Sequence, residues 1–448
     1  MQNTLYPLCV VLSIYFCKVS FKLNAEAALF YLTIAAVCCI INVTSAAIVR
    51  SGAVFMIYFS ITERHGFMEN KKWVAGWGTC EDVTTQTIAD HIEDITFRYV
   101  IYSTLDASAL RLHFSNLQGT EEIKVDKVYV AKRDKWKAAV PGTSREVLFG
   151  GKSRFTLAPG ADCVSDPVEF TIGAGEEYFV SMYIKERTEL RSGHWNSGAY
   201  ITKYYSRGDY AAADDIPTLT YGDGGPYVFI HTIDYLTDPE CSAIVAFGDS
   251  ITAQPWPDCL ARRMVELGVK RGVVRKAIGG GRVLRDYACR IKQHWGPAGV
   301  KRFERDISQA GVDRVFLLHG INDIIHPGVN NPLCGMDELP TAEELIDGYK
   351  YYIETAHKHG LKIYQATMLP CPRCMNDDGV KEKIRCAAND WIRSCGLQDG
   401  VIDFEAAVWQ ENDHKNMIPE YDCGDHLHPS LAGAKHMAYT IPEEYFRN

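Results

Sequence analysis

The chain has 448 residues, with 47 Lys+Arg against 56 Asp+Glu and a net charge of −9. That acidity argues against a nucleic-acid binder working by counter-ion release. Charged residues at 23% and hydrophobics at 47% exclude wholesale disorder, and fifteen Cys fall short of a disulfide scaffold.

Residues 1–67 differ from the rest. Leu5 to Cys17 has the length of a signal h-region without a basic n-region before it, and Ala27 to Val49 carries no charge and is long enough to span a bilayer. Two readings stay open. The segment is a membrane anchor, or a signal cut after Ser45-Ala46-Ala47; alternatively Met68 is the natural start and the segment is not part of the working protein. Removing its four bases and two acids leaves −11 for residues 68–448. The Cys from Cys80 onward are odd in number and irregularly spaced, which favours a reducing compartment. A cytoplasmic location is therefore preferred for 68–448, with a membrane-anchored or secreted form as the alternative. Membrane contact is expected only through residues 27–49.

From Trp73 to about Thr237 the sequence reads as short strands. Ile95 to Tyr102 is rich in aromatic and β-branched residues, and in Ala109 to Phe114 the apolar Leu110, Leu112 and Phe114 alternate with Arg111 and His113. Lys127 to Ala131 and Tyr178 to Ile184 follow the same pattern. Turn signals separate them: Pro141-Gly142, Gly150-Gly151, Pro159-Gly160 and the Gly222–Pro226 run. This spacing predicts a β-sandwich accessory domain over 68–237.

From about Asp238 strands and helices alternate. Strands are expected at Ser242–Phe247, Val273–Ile278, Arg314–Leu318, Lys362–Leu369 and Gly400–Phe404. Helices are expected at Asp258–Leu267, Thr341–His359, Lys381–Ser394 and Pro429–Met437. The order implies α/β architecture over 238–448, with a parallel sheet between helix layers.

Ligands of such sheets bind beyond the carboxyl ends of the strands. The residues just after the strands are Gly248-Asp249-Ser250, Gly279-Gly280-Gly281-Arg282 and His319-Gly320-Ile321-Asn322-Asp323. Asp425-His426-Leu427-His428 opens the last helix. Together they read as acyl transfer. Ser250, at a strand-to-helix turn, can present its hydroxyl as nucleophile, with a helix N-terminus behind it. His428 can take its proton, and Asp425 can hold the imidazole from the other side. The backbone N–H groups of Ser250 and Gly280 and the side-chain amide of Asn322 are suitable donors to an oxyanion. Asp249, Arg282 and Asp323 are assigned supporting roles.

These blocks resemble the SGNH, or GDSL, hydrolase superfamily of esterases and lipases. The first block is matched by Phe247 to Thr252 and the second by Ile278 to Leu284. The third is matched by Gly320 to Asp323, and the last by Asp425 to Pro429. The resemblance runs from about Ile244 to the C-terminus. It implies a flavodoxin-like three-layer parallel-sheet SGNH hydrolase domain, with Ser250 as nucleophile, Gly280 and Asn322 at the oxyanion, and an Asp425–His428 pair. Trp73–Gly78 and Leu110–Asn116 extend the likeness to two-domain bacterial members with a β-rich N-terminal domain. Arg275 and Gly281 stand where the family commonly has Asn, which bears on substrate fit.

The resemblance implies removal of a small acyl group, acetyl above all, from an ester with a small-molecule or carbohydrate alcohol. It implies no metal and no cofactor. The rival enzyme reading is a longer-chain lipase or thioesterase; the non-enzyme rival is a membrane-tethered carbohydrate-binding protein with a vestigial hydrolase rim. No Gly-x-Ser-x-Gly or His-Glu-x-x-His occurs, and no nucleic-acid partner is expected. Cys371-Pro372-Arg373-Cys374 reads as loop thiols rather than zinc ligands. His319 reads as a packed histidine. Arg282 reads equally as a substrate ligand or a loop brace, and Trp256 and Trp295 as core rather than sugar platforms.

Overall fold

The computed structural model describes residues 70–83, 90–194, 198–217, 219–221, 226–288, 294–328, 334–371, 379–411 and 413–447. The apolar stretch at 27–49 and Cys374 lie outside the described residues. Among those described, no helix is long and apolar enough to cross a membrane.

In the strand Ala107–Ser115, Leu110, Leu112 and Phe114 are buried while Arg111 and His113 stay partly exposed. The period-two pattern thus puts one face into the core. Ala107–Ser115 belongs to an antiparallel sheet ordered Lys72–Gly78, Ile230–Thr237, Ala107–Ser115, Asp162–Val164, with Val168–Ile172 also pairing to Ala107–Ser115. A second antiparallel sheet runs Leu219–Tyr221, Lys203–Arg207, Ile95–Tyr102, Glu177–Ile184, Lys127–Lys135, Ala138–Ala139. The buried hydroxyls of Tyr178 and Tyr235 join the two sheets at 2.9 Å. A third, small sheet sets Ser192–His194 between Asp82–Val83 and Tyr227–Val228.

The C-terminal half is α/β. Its five strands are all parallel, in the spatial order Arg271–Ala277, Ser242–Gly248, Val312–Leu318, Lys362–Ala366, Gly400–Ile402. Every residue of Ser242–Gly248 is buried, as a central parallel strand requires. The first strand in sequence lies between the second and the third. The chain order therefore reverses beside Gly248, and a crevice opens there.

Strand-rich and α/β parts form one unit, Lys71–Asn448, with one continuous apolar core. Ala75 N donates to Ala310 O at 2.8 Å, and buried Lys276 Nζ donates to Thr79 O at 2.8 Å. A Cβ on Gly272 would lie 2.1 Å from Ala75 O, so only glycine permits this approach.

Several boundaries differ from the sequence expectation for local reasons. The strand from Lys362 stops at Ala366 rather than Leu369, because Met368 N turns to the Asn389 side chain. The strand from Gly400 stops at Ile402, where Asp403 caps a short helix through Ala406 N. The last helix is Leu431–Thr440, starting after the N-cap Ser430 rather than at Pro429. Thr341 and Glu344 form a reciprocal capping box at the start of Ala342–Lys358.

Candidate active site

Ser250 directly follows the strand Ser242–Gly248 and the N-cap Asp249, whose carboxylate accepts from Ile251 N at 3.1 Å. The helix it opens, Ser250–Ala253, is a single turn. The helix-dipole expectation is therefore corrected: one turn supplies little macrodipole, and individual N–H groups must do that work.

Ser250 Oγ lies 2.7 Å from His428 Nε2, and His428 Nδ1 lies 2.6 Å from Asp425 Oδ2. The other Asp425 oxygen accepts from Leu427 N at 2.9 Å and His428 N at 2.8 Å. Burial pushes this carboxyl up. The His428 backbone N–H, the imidazole and the Leu427 N–H outweigh that and hold it at about 2. An ionised Asp425 only accepts hydrogen bonds, so His428 carries its proton on Nδ1 and turns a lone pair toward the serine hydroxyl. His426, at φ 64°, makes the left-handed turn that brings Asp425 and His428 together. Asp422 braces it at 2.6 Å from His426 Nδ1.

The oxyanion candidates converge from two other loops. Gly280 has φ 78°, and a Cβ there would sit 2.4 Å from Trp295 Cγ, so the loop shape and the indole both demand glycine. Asn322 donates one amide hydrogen to Gly281 O at 3.0 Å, leaving its second free for a ligand. Ser250, Gly280, Asn322 and His428 all line one cavity of about 320 Å³.

The supporting residues brace these loops. Asp323, buried, accepts from Val283 N at 2.7 Å and Leu284 N at 3.0 Å; burial lifts its carboxyl to about 6 against the pull of those donors. Burial likewise lifts Asp249 to about 7. Arg282 is a brace rather than a substrate ligand. It donates to Arg285 O at 3.1 Å and Asp286 O at 2.6 Å, pairs with Glu338 at 2.8 Å, and lies over the Tyr287 ring. His319 is buried, donating to Gly281 O and facing Tyr352 Oη, both at 3.1 Å. Burial, with Arg302 nearby, drives it down to about 3, so it stays neutral. Trp256 is core, 1% exposed, whereas Trp295 lines the cavity and stacks on His326 at 4.6 Å.

Several contributors lack a sequence signal. Buried Arg302 donates to Gly248 O at 2.8 Å and Lys276 O at 3.0 Å, tying the ends of two strands together. Tyr287 Oη donates to Gly280 O at 2.8 Å. From the strand-rich half, Asp82, Val83, His194 and Pro226 complete the cavity wall. Asp422, Cys423 and Asp425 cluster at the surface, half-buried at Asp422 and exposed at the other two, and both carboxylates are already engaged by the turn.

Residues 246–436 match the GDSL-like lipase/acylhydrolase family. No curated protein matches the chain. Among solved structures, a putative acylhydrolase from Bacteroides fragilis is similar at 18% identity and TM-score 0.32, covering 46% of this chain and 88% of its own. An acetyl xylan esterase from Geobacillus stearothermophilus is similar at 18% identity and TM-score 0.35, over 46% of this chain and 96% of that one. A Bacillus subtilis protein reaches 84% of this chain and 87% of its own, at 13% identity and TM-score 0.34. Identities this low say nothing of substrate. Residues 246–436, which carry all four blocks read from the sequence, thus form a domain of the GDSL-like lipase/acylhydrolase type, which marks this part of the chain as a carboxylic ester hydrolase.

Proposed function

We propose that the protein removes a small acyl group, acetyl above all, from an ester of a hydroxylated alcohol such as a carbohydrate, through an acyl-enzyme on Ser250. The observation that carries this reading is the unbroken relay Ser250–His428–Asp425, at 2.7 and 2.6 Å. Ser250 Oγ attacks the ester carbonyl as His428 Nε2 takes its proton. The tetrahedral oxyanion accepts from the N–H groups of Ser250 and Gly280 and from the free amide hydrogen of Asn322. His428 then returns its proton to the leaving alcohol. It next activates water to release the acid, with Asp425 ionised and orienting throughout.

The parallel-strand order, with the first strand between second and third, supports a flavodoxin-like three-layer catalytic domain. The two antiparallel sheets joined through Tyr178 and Tyr235 support a β-sandwich before it. Four histidines and Asp82 in the cavity wall offer polar partners to a hydroxylated alcohol. Retention of the whole relay argues against a purely carbohydrate-binding role.

The test is a panel of p-nitrophenyl esters from acetyl to octanoyl, with wild type and Ser250→Ala. The small-acyl reading predicts that activity falls steeply beyond about butyrate, because a site fitted to a short acyl group gains nothing from further CH₂ groups. Rising activity through octanoate makes the enzyme a lipase or thioesterase instead.

A further inference from the structure

The small sheet of the strand-rich half carries a second Asp–His pair into the same cavity. Asp82 sits opposite Gly193 in the strand register, and the next residue, His194, turns its Nδ1 to Asp82 Oδ2 at 2.8 Å. The pair is almost wholly buried, with side chains 1% and 7% exposed for His194 and Asp82. Among the described residues nothing bonds His194 Nε2, although the ring borders the cavity that holds Ser250 and His428. A buried polar atom is rarely left without a partner, and each exception calls for a reason.

We infer that His194, held by Asp82, is a specificity-determining residue whose Nε2 exchanges a hydrogen bond with a hydroxyl on the alcohol half of the substrate. The inference rests on the ester-hydrolase reading above and adds to it which protein group recognises the alcohol. Three observations point to a hydroxyl. Among the described residues lining the cavity none is Lys or Arg, so nothing there matches a carboxylate or phosphate. Burial pushes the Asp82 carboxyl up while His194 pulls it down, and an imidazole with a single proton can carry it on Nδ1 or on Nε2. Nε2 is an acceptor in one arrangement and a donor in the other, and a hydroxyl satisfies both. A small acyl group offers no hydroxyl, so the alcohol half must supply it.

The experiment follows hydrolysis of glycerol monoacetate and propyl acetate by pH-stat, with p-nitrophenyl acetate as the general esterase substrate. Wild type is expected to prefer the glycerol ester by about tenfold in kcat/KM, the range of one net hydrogen bond. His194→Ala should lose that preference mainly through a higher KM for the glycerol ester. His194→Gln, which keeps polar atoms, should retain part of it, and Asp82→Asn, which loosens the ring's anchor, should fall between wild type and His194→Ala. If wild type cleaves p-nitrophenyl acetate but shows no preference, or if His194→Ala keeps the preference, the inference is overturned and the esterase reading stands. Equal losses on both alkyl esters in His194→Ala and His194→Gln would make His194 structural and overturn it as well. A wild type that cleaves none of the three esters removes the esterase reading itself, and this inference with it.

Discussion

Asn322 stands between two acceptors. One amide hydrogen holds Gly281 O, and in the proposed mechanism the other donates to the charge that develops on the substrate oxygen. Asn322→Ala should therefore lower kcat by about 10²–10³ with much less change in KM, as steady-state kinetics on p-nitrophenyl acetate will show. A pure KM effect would make it a binding residue. Asp249 gives a prediction about stability. Its folded carboxyl sits at about 7 against an ordinary 3.8. The folded chain thus holds a proton that the unfolded chain releases between those values. The resulting stabilisation is complete below about 3.8 and is lost as pH rises through 7. Asp249→Asn keeps an oxygen for Ile251 N without the charge. Its melting temperature relative to wild type should climb from pH 5 to about pH 7 and then level off; a constant difference contradicts the buried-charge account. At this scale the blocks were legible because each is local: Gly-Asp-Ser, Asn-Asp and Asp-x-x-His name their chemistry within four residues. Asp82 and His194 were not. They meet through strands of two and three residues that carry no periodicity, far apart in the chain.

The loop from Gly279 to Leu284 carries the proposed oxyanion donor Gly280 N–H. Asp323 grips its far end through two backbone N–H groups, Tyr287 grips the near side at Gly280 O, and Arg282 ties the loop onward to Asp286 O. Asp323→Ala frees both N–H groups and should cut kcat by at least tenfold while Ser250 still takes a covalent label, which kinetics and mass spectrometry separate. Gly280→Ala meets a different obstacle. A left-handed φ costs an L-residue about 1–2 kcal/mol, and the new methyl would collide with Trp295. Both the melting temperature and kcat should fall, and a variant with wild-type values contradicts the geometry. The sequence read most strand interiors correctly, since hydrophobic runs and alternation set them. It missed ends, such as Ala366 and Ile402, where a distant side chain or an Asp cap takes over the backbone.

At the scale of the molecule the strand-rich half completes the site rather than decorating it. Its residues form part of the cavity wall, and its backbone oxygens receive buried Lys276. A protein reduced to residues 238–448 would leave that ammonium and the face around Gly272 uncovered. It should aggregate on size exclusion and lose esterase activity; a monomeric, fully active fragment contradicts this. The grammar shift near Asp238 was legible, but the shared core was not, because Val74 and Tyr235 read simply as strand residues until their partners across the boundary are seen. The proposed reaction depends at every scale on Ser250 as its nucleophile. Treatment with diethyl p-nitrophenyl phosphate, followed by peptide mapping, tests it directly. The relay predicts one diethylphosphoryl group per chain, on Ser250, with activity lost in proportion and no label on Ser250→Ala. Inactivation with the label on another residue, or wild-type turnover by a folded Ser250→Ala protein, would contradict it.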